Sequence, residues 1–456
     1  MSVASVLNIG SRWELFVDRW LIDRLEGAAL KLHAPERREV VLTTDAPWEG
    51  PESAYYTVLQ DGGRFRLFYR GWTPDDCSPE TVTCLAESAD GIRFDRPNLG
   101  LYEFQGAHHN NIVYRGYESH AFAVFQDTNP AAAPAARYKA LGITGNPELN
   151  GLFALQSVDG IHWQRMADQP VLTKGAFDSL NVPFWDAVAG VYRCYSRDWT
   201  EHHIRKYQGI RIIQSNTSTD FLHWSDPQPN RYADGIPLEH FYTSATVPCP
   251  GAEHILLSFP KRFVPERKKV ATHNEPGVSD TVFMTSRDGV CWDRTFREAW
   301  VRPGPDERNW TDRSNMVAAG IALTSAHEFS LYVSEHYRWP DNRLRRLALG
   351  RHRFASASAG TGGGVLLTKP FTFAGTRLIV NASTSAAGSL QFALRDVNGA
   401  GLPGFSAADM DPWFGDEFDA EIRWRGGDLA RLQGRPVRLF VELRDADLFA
   451  IRLAVQ

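Results

Sequence analysis

Hydrophobic and polar residues alternate with a period of two in short runs along most of the chain, and turn residues separate the runs. Tyr55-Tyr56-Thr57-Val58-Leu59 and Arg64-Phe65-Arg66-Leu67-Phe68-Tyr69 flank Gln60-Asp61-Gly62-Gly63, which reads as two strands and a tight turn. Comparable cycles of three strand-like runs follow at 121–125, 137–141 and 152–155, at 181–185, 191–195 and 210–213, at 243–247, 254–259 and 281–284, and at 316–323, 329–333 and 344–349.

One short motif marks the first four cycles. Ser88-Ala89-Asp90-Gly91-Ile92-Arg93-Phe94, Ser157-Val158-Asp159-Gly160-Ile161-His162-Trp163, Ser218-Thr219-Asp220-Phe221-Leu222-His223-Trp224 and Ser286-Arg287-Asp288-Gly289-Val290-Cys291-Trp292 share the form Ser-x-Asp-(Gly/Phe)-x-x-(Trp/Phe). Their starts lie 69, 61 and 68 residues apart. In a hairpin, Ser and Asp bond nearby backbone, Gly takes the positive φ, and the aromatic pins the returning strand. A recurring unit of this length, rich in short strands, predicts the blades of a β-propeller. The fifth cycle lacks the motif, as a closing blade can.

Residues 12–45 form an entry segment in which Phe16-Val17-Asp18-Arg19-Trp20-Leu21-Ile22-Asp23 reads as an edge strand or short helix. Ala355 to Gly364 is a small-residue linker, and alternating runs at 378–382, 390–394, 420–424 and 437–443 follow it. The expectation is an all-β protein: a five-bladed β-propeller over residues 1–358, entry segment included, then a C-terminal β-sandwich over 365–456.

Composition narrows the function classes. A net charge of −5 gives no global electrostatic support for a nucleic-acid or anionic-membrane partner. No run of about 18 apolar residues offers a membrane helix, and the first 13 residues lack a basic stretch followed by an apolar one, so a cytoplasmic location is expected. Cys77, Cys84, Cys194, Cys249 and Cys291 are odd in number and lack C-x-x-C spacing, so they read as reduced packing residues. The 14 tryptophans suit blade packing, sugar-stacking platforms, or both.

The residues entering each innermost strand surround one end of a propeller axis. Aligned by pattern they are Glu52-Ser53-Ala54-Tyr55, Glu118-Ser119-His120-Ala121, Asp178-Ser179-Leu180-Asn181, Glu239-His240-Phe241-Tyr242 and Asp312-Arg313-Ser314-Asn315, with an acid at or near the start of each. Carboxylates gathered on one axis repel, and some must have raised pKa values. A protonated and an ionised carboxyl group are what glycosidic cleavage requires. Glu49 is a substitute for Glu52.

The second strands end in Tyr69-Arg70-Gly71-Trp72, Ser196-Arg197-Asp198-Trp199, Pro260-Lys261-Arg262-Phe263 and Ser334-Glu335-His336-Tyr337, each a charged group beside an aromatic. Sugar sites combine aromatic faces with charged groups that bond hydroxyls. Glu335 is the alternative general acid. Arg70, Arg262 and Arg313 are candidates for a carboxylate or sulfate substituent. His120, Asn181, Arg197, Tyr242 and His336 complete the expected binding set. The pairs His108-His109 and His202-His203 lack a third ligand at metal-site spacing, Arg267-Lys268-Lys269 reads as a solvated basic loop, and Gly362-Gly363-Gly364 lacks the Lys-Ser/Thr of a phosphate loop. No metal or cofactor is expected.

Five blades, the Ser-x-Asp-Gly-x-x-Trp hairpins, inward acids and a C-terminal β-sandwich together resemble the five-bladed propeller glycosidases of glycoside hydrolase families 32, 43, 62, 68, 117 and 130. The segments from Phe177 to Asp186 and from Phe329 to Tyr337 look like bacterial family 32-like hydrolases. The resemblance implies acids from the first three blades: Glu52 as nucleophile or base, Glu118 as transition-state stabiliser or pKa modulator, and Asp178 as third acid. The chain departs from the invertase pattern: it has no Trp-Met-Asn-Asp-Pro, Arg-Asp-Pro or Glu-Cys motif, and its acids run Glu, Glu, Asp, which counts against fructosidase activity. The motif also resembles the sialidase Asp box, but five cycles do not make six blades. The expectation is a glycoside hydrolase acting on an oligosaccharide or glycan. A phosphorylase of the family 130 type, with Arg70, Lys261, Arg262 or His336 holding phosphate, and a non-catalytic carbohydrate-binding propeller are the rivals. The sandwich is expected to be structural, with Asp411-Pro412-Trp413-Phe414 its exposed aromatic candidate.

Overall fold

The protein is described by a computed structural model covering residues 6–72, 81–143, 151–202, 204 and 207–455. It divides into two compact units, Pro35–Ala348 and Met1–Ala34 with Leu349–Gln456.

The larger unit is a five-bladed β-propeller. Blade one is Ala54–Asp61, Arg64–Gly71, Val82–Ser88 and Ile112–Arg115, each strand antiparallel to the next. Blades two, three and four repeat this order, opening on Phe122–Gln126, Val182–Asp186 and Val247–Cys249. Blade five is Ala322–Ser325, Glu328–Glu335 and Arg343–Gly350, and its outermost strand is Glu36–Thr43 from the start of the chain. That pairing closes the ring and leaves no open sheet between first and last blade.

The Ser-Asp hairpins explain the spacing between blades. In each, Asp Oδ1 accepts two backbone N–H groups and Ser Oγ accepts another, as at Ser157, Asp159 and Gly160. The fourth residue has positive φ in all four copies: 73° at Gly91, 76° at Gly160, 69° at Phe221 and 83° at Gly289. Three of the four hairpins are hydrogen-bonded to the preceding blade. Tyr332 of blade five bonds the Gly91 carbonyl at 2.6 Å, Arg66 of blade one bonds the Asp159 carbonyl, and Tyr195 of blade three bonds the Gly289 carbonyl at 2.8 Å. The apolar cores lie between neighbouring blades, and a smaller cluster holding Tyr55, Ala121, Leu180, Tyr242 and Tyr337 lies at the centre. Gly289→Ala is expected to destabilise this unit by about 1–2 kcal/mol from φ alone. Its Cβ would also clash with the Arg193 guanidinium and fall 2.9 Å from the Tyr195 hydroxyl, so the loss in a thermal melt should reach at least that size.

The second unit corrects two expectations. Only the end of the entry segment, Glu36–Thr43, belongs to the propeller; Trp13–Leu15, Ile22–Glu26 and Ala29–Leu32 pair with Arg438–Ala454, Gly364–Thr368 and Ala355–Ala359. Nor is 355–364 simply a linker. Ala355, Ala357 and Ala359 are buried at alternate positions of a strand, where small size serves packing. The long strands Arg377–Arg395 and Arg438–Ala454 pair with each other around one apolar core. Trp413 packs against that core while Phe414 is exposed. Cys84, Cys194 and Cys249 are buried thiols and Cys291 an exposed one, none disulfide-bonded; Cys77 lies outside the described residues. Among the described residues no helix is long and apolar enough to cross a membrane.

Candidate functional site

Side chains from all five blades converge at the centre of the propeller. Glu52 is nearly buried, with Oε2 accepting from the Tyr337 hydroxyl at 3.0 Å and Oε1 from Arg338 Nε at 3.0 Å. Tyr337 in turn accepts from Arg313 Nη1 at 3.1 Å and Arg70 Nη2 at 3.3 Å. Arg70 lies over the Tyr55 ring, 4.5 Å from its centroid, and its Nη1 is 3.2 Å from His120 Nε2. His120 Nε2 is also 3.1 Å from Asp178 Oδ1. A carboxylate only accepts, so Nε2 carries a proton for that bond. The Tyr242 hydroxyl reaches the Asp178 carbonyl at 3.3 Å and the Tyr55 hydroxyl at 3.1 Å, completing a polar chain across blades one to five.

Asp178 is the open carboxylate of this set, its side chain 52% exposed. Burial of its surroundings would raise its pKa. The His120 hydrogen bond and the charges of Arg197 and Arg313 outweigh that and hold it well below the usual carboxylate range. His120 goes the other way: burial, with Arg70 and Arg313 nearby, lowers its pKa against the pull of Asp178, so the ring is neutral at neutral pH. Asn181 does not face the site. It is buried, and its Nδ2 donates to the Phe177 and Ser179 carbonyls at 2.9 Å each, bracing the loop that presents Asp178. Burial, then Tyr242 and Asp178, push Tyr55 well above its ordinary value, so it remains a neutral phenol.

Beside Asp178 opens a cavity of about 280 Å3, lined by Arg211, Tyr242, Lys261, Phe263, Glu275, Asp312 and Arg313 among others. Asp312 pairs with His273 at 2.9 Å and Arg313 at 3.4 Å, and Glu275 with Arg338 at 3.4 Å. Arg197 lies over the Tyr242 ring at 4.7 Å, close to the same wall.

The structure brings together Glu52, Arg70, His120, Asp178, Arg197, Tyr242 and Arg313 and leaves the other candidates elsewhere. Glu118 is buried against the outer strands of blades one and two, where Arg165 pairs with Oε1 and Tyr114 donates to Oε2 at 3.2 Å. Glu335, 2% exposed, is bound by Arg37, Arg343 and Arg345 on blade five, with no open oxygen for a substrate. His336 is fully buried between Asp341 at 2.8 Å and Asp306 at 2.9 Å. Arg262 makes a two-pronged pair with Asp280 at 2.7 and 2.9 Å and a further contact with Glu239 at 3.0 Å. Glu49 is buried under Arg96 and Tyr69. His108 and His109 are exposed, His202 pairs with Asp198, and His203 lies outside the described residues. Among the described residues no group of three or more His, Cys, Asp or Glu is placed to hold a metal ion.

The blade-four alignment also shifts. Tyr55, Ala245 and Asn315 have positive φ at 58°, 44° and 62°, and this strand-entry kink sets the register between blades. Counting back three residues gives Glu52, Tyr242 and Asp312, so Tyr242 occupies the place of an acid in blade four. Glu239 instead pairs with Arg262 and Arg294. Sequence reasoning missed Arg211 and Glu275 because they start a third strand and sit in the loop between second and third strands, neither of which was aligned.

No protein-family model matches the chain, and no curated protein matches it. The solved structures it is similar to include a glycoside hydrolase (13% identity, 70% of this chain and 94% of that one, TM-score 0.46). Another is an N-acetylgalactosamine deacetylase from F. plautii in complex with blood group B trisaccharide (12%, 70% and 95%, TM-score 0.46). A third is a glycosyl hydrolase from Bacteroides ovatus (14%, 72% and 97%, TM-score 0.42). At these values the likeness carries neither an activity nor residue roles to this chain, and the propeller stands on its own strand pairing.

Proposed function

We propose that the protein is a glycoside hydrolase that cleaves a glycosidic bond of an oligosaccharide or glycan at the axial end of the propeller. The observation that carries this reading is Asp178: an open carboxylate, kept ionised by the His120 hydrogen bond and the charges of Arg197 and Arg313, next to Tyr242, which lines a cavity together with Phe263. In this reading Asp178 attacks the anomeric carbon or activates water. His120 holds its orientation, and Glu52 fixes Tyr337 and Arg338. Glu275, half exposed on the cavity wall and paired with Arg338 at 3.4 Å when ionised, is proposed as the proton donor to the leaving oxygen, a role it takes on only after it picks up a proton and gives up that pair. The unit formed by 1–34 and 349–456 is proposed to be a β-sandwich with a structural role.

The proton-donor role has its own signature. Glu275→Gln should slow cleavage of a natural oligosaccharide by about 10²-fold or more, yet barely slow a nitrophenyl glycoside, whose leaving group needs no proton. Equal slowing of both substrates would remove Glu275 from that role. Unpaired cations at the cavity favour phosphorolysis as a second reading, which requires turnover to depend on added phosphate.

A further inference from the structure

We propose that the cavity beside Asp178 is an anion subsite, in which Arg211, Lys261 and Arg313 hold a carboxylate, sulfate or phosphate group carried by the glycan. This rests on the reading that the axial site takes a glycan.

The argument is one of unmatched charge. The two carboxylates lining the cavity already have cationic partners in the ionised state: Asp312 has Arg313, with His273 bonded at 2.9 Å as well, and Glu275 has Arg338. Neither Arg211 nor Lys261 has a described carboxylate within ion-pair distance; Asp178 and Asp312 act on them only from farther away. Arg211 touches His240, itself without a negative charge, and its Nε is buried with no hydrogen-bond partner. Lys261 is 1% exposed, yet it lines the cavity. A buried cation without a counter-ion is costly, and the cost is relieved when a ligand supplies the negative charge.

Both cations are also held still. Lys261 Nζ lies 4.2 Å from the centre of the Tyr242 ring, and the Arg211 guanidinium 4.2 Å from Trp199 and 4.8 Å from Phe263. Cation–ring contacts fix the donors before any ligand arrives, which lowers the ordering cost of binding. Burial pushes Lys261 well below the ordinary lysine value, and Arg313, Arg211 and Arg197 add to that against Asp312. Burial also lowers Arg211, to about 10. A bound anion favours the charged lysine, so binding takes up a proton wherever Lys261 is partly neutral in the empty site.

The test is calorimetric titration of the full chain with sodium glucuronate, glucose, inorganic sulfate and inorganic phosphate, in two buffers of different ionisation heat. The expected result is binding of the anions but not glucose, with proton uptake and with affinity that falls as salt rises. Lys261→Met and Arg211→Gln should each weaken it tenfold or more. Lys261→Arg, which keeps the charge, should hold it within a few-fold. Arg308→Gln, in the Asp306–His336 cluster, should leave it unchanged. Glucuronate bound more tightly than the inorganic ions assigns the subsite to a sugar substituent; tighter inorganic phosphate assigns it to a free ion. Equal anion affinity in wild type, Lys261→Met and Arg211→Gln would overturn the proposal, as would no anion binding at all. Cleavage of neutral oligosaccharides by a protein that binds no anion would sink the subsite and leave the hydrolase reading intact. Anion binding without any glycan cleavage would do the reverse.

Discussion

Asp178→Asn is expected to lower kcat by about 10²- to 10⁴-fold while leaving substrate binding within a few-fold. The amide keeps the shape and can still contact His120, but it can neither attack nor accept a proton. The side chain is half exposed, so its charge contributes little to stability and the variant should fold. The pH profile separates this from a binding role. A depressed carboxylate stays ionised as pH falls through the ordinary aspartate range near 3.9, so the acid limb of wild-type activity should not report Asp178. His120 is lowered for a different reason, its burial, and it gains its proton only below the ordinary histidine range. Its protonation adds a cation beside Arg70 and Arg313, so binding of a neutral sugar should change little while that of an anionic one strengthens.

Glu335→Ala should have the opposite signature: a large loss of stability without a specific loss of chemistry. The carboxylate is buried and bound by Arg37, Arg343 and Arg345. Removing it leaves three cations facing one another, a loss of about 3–5 kcal/mol by the usual cost of breaking a buried pair. Arg37 belongs to Glu36–Thr43, the strand that closes the ring, so the loss falls on the seam of the propeller. Chemical denaturation should show the midpoint falling, and the folded fraction should retain its kcat. A folded, stable Glu335→Ala protein with no turnover would return Glu335 to the catalytic set.

The blades were legible in the chain because their signal is local. Asp159 bonds residues two and three positions along, and Gly160 answers Ser157 three positions back, so the hairpin is written within a few residues. The closing strand was not, because nothing in Glu36–Thr43 itself says that it pairs with Arg343–Gly350 three hundred residues on. The inward acids were half legible. Of the strand-entry acids, Glu52 and Asp178 reach the centre and Asp312 lines the cavity, whereas Glu118 is captured by Arg165 and Glu239 by Arg262 and Arg294. Spacing cannot reveal such captures, since they depend on which side of the entry turn the side chain leaves. The positive φ at Tyr55, Ala245 and Asn315 decides that in three blades, and only Asn315 is of a residue type that commonly adopts it.

The central claim is that water cleaves a glycosidic bond at Asp178. Its most direct test is incubation with a panel of neutral and uronate-bearing oligosaccharides in heavy-oxygen water, read by mass spectrometry. The account predicts a heavy-oxygen label at the new reducing end with wild type and essentially none with Asp178→Asn. An unlabelled sugar phosphate formed only with added phosphate would contradict it in favour of phosphorolysis, and no cleavage of any member, with sugar binding intact in both proteins, would leave a binding propeller in its place.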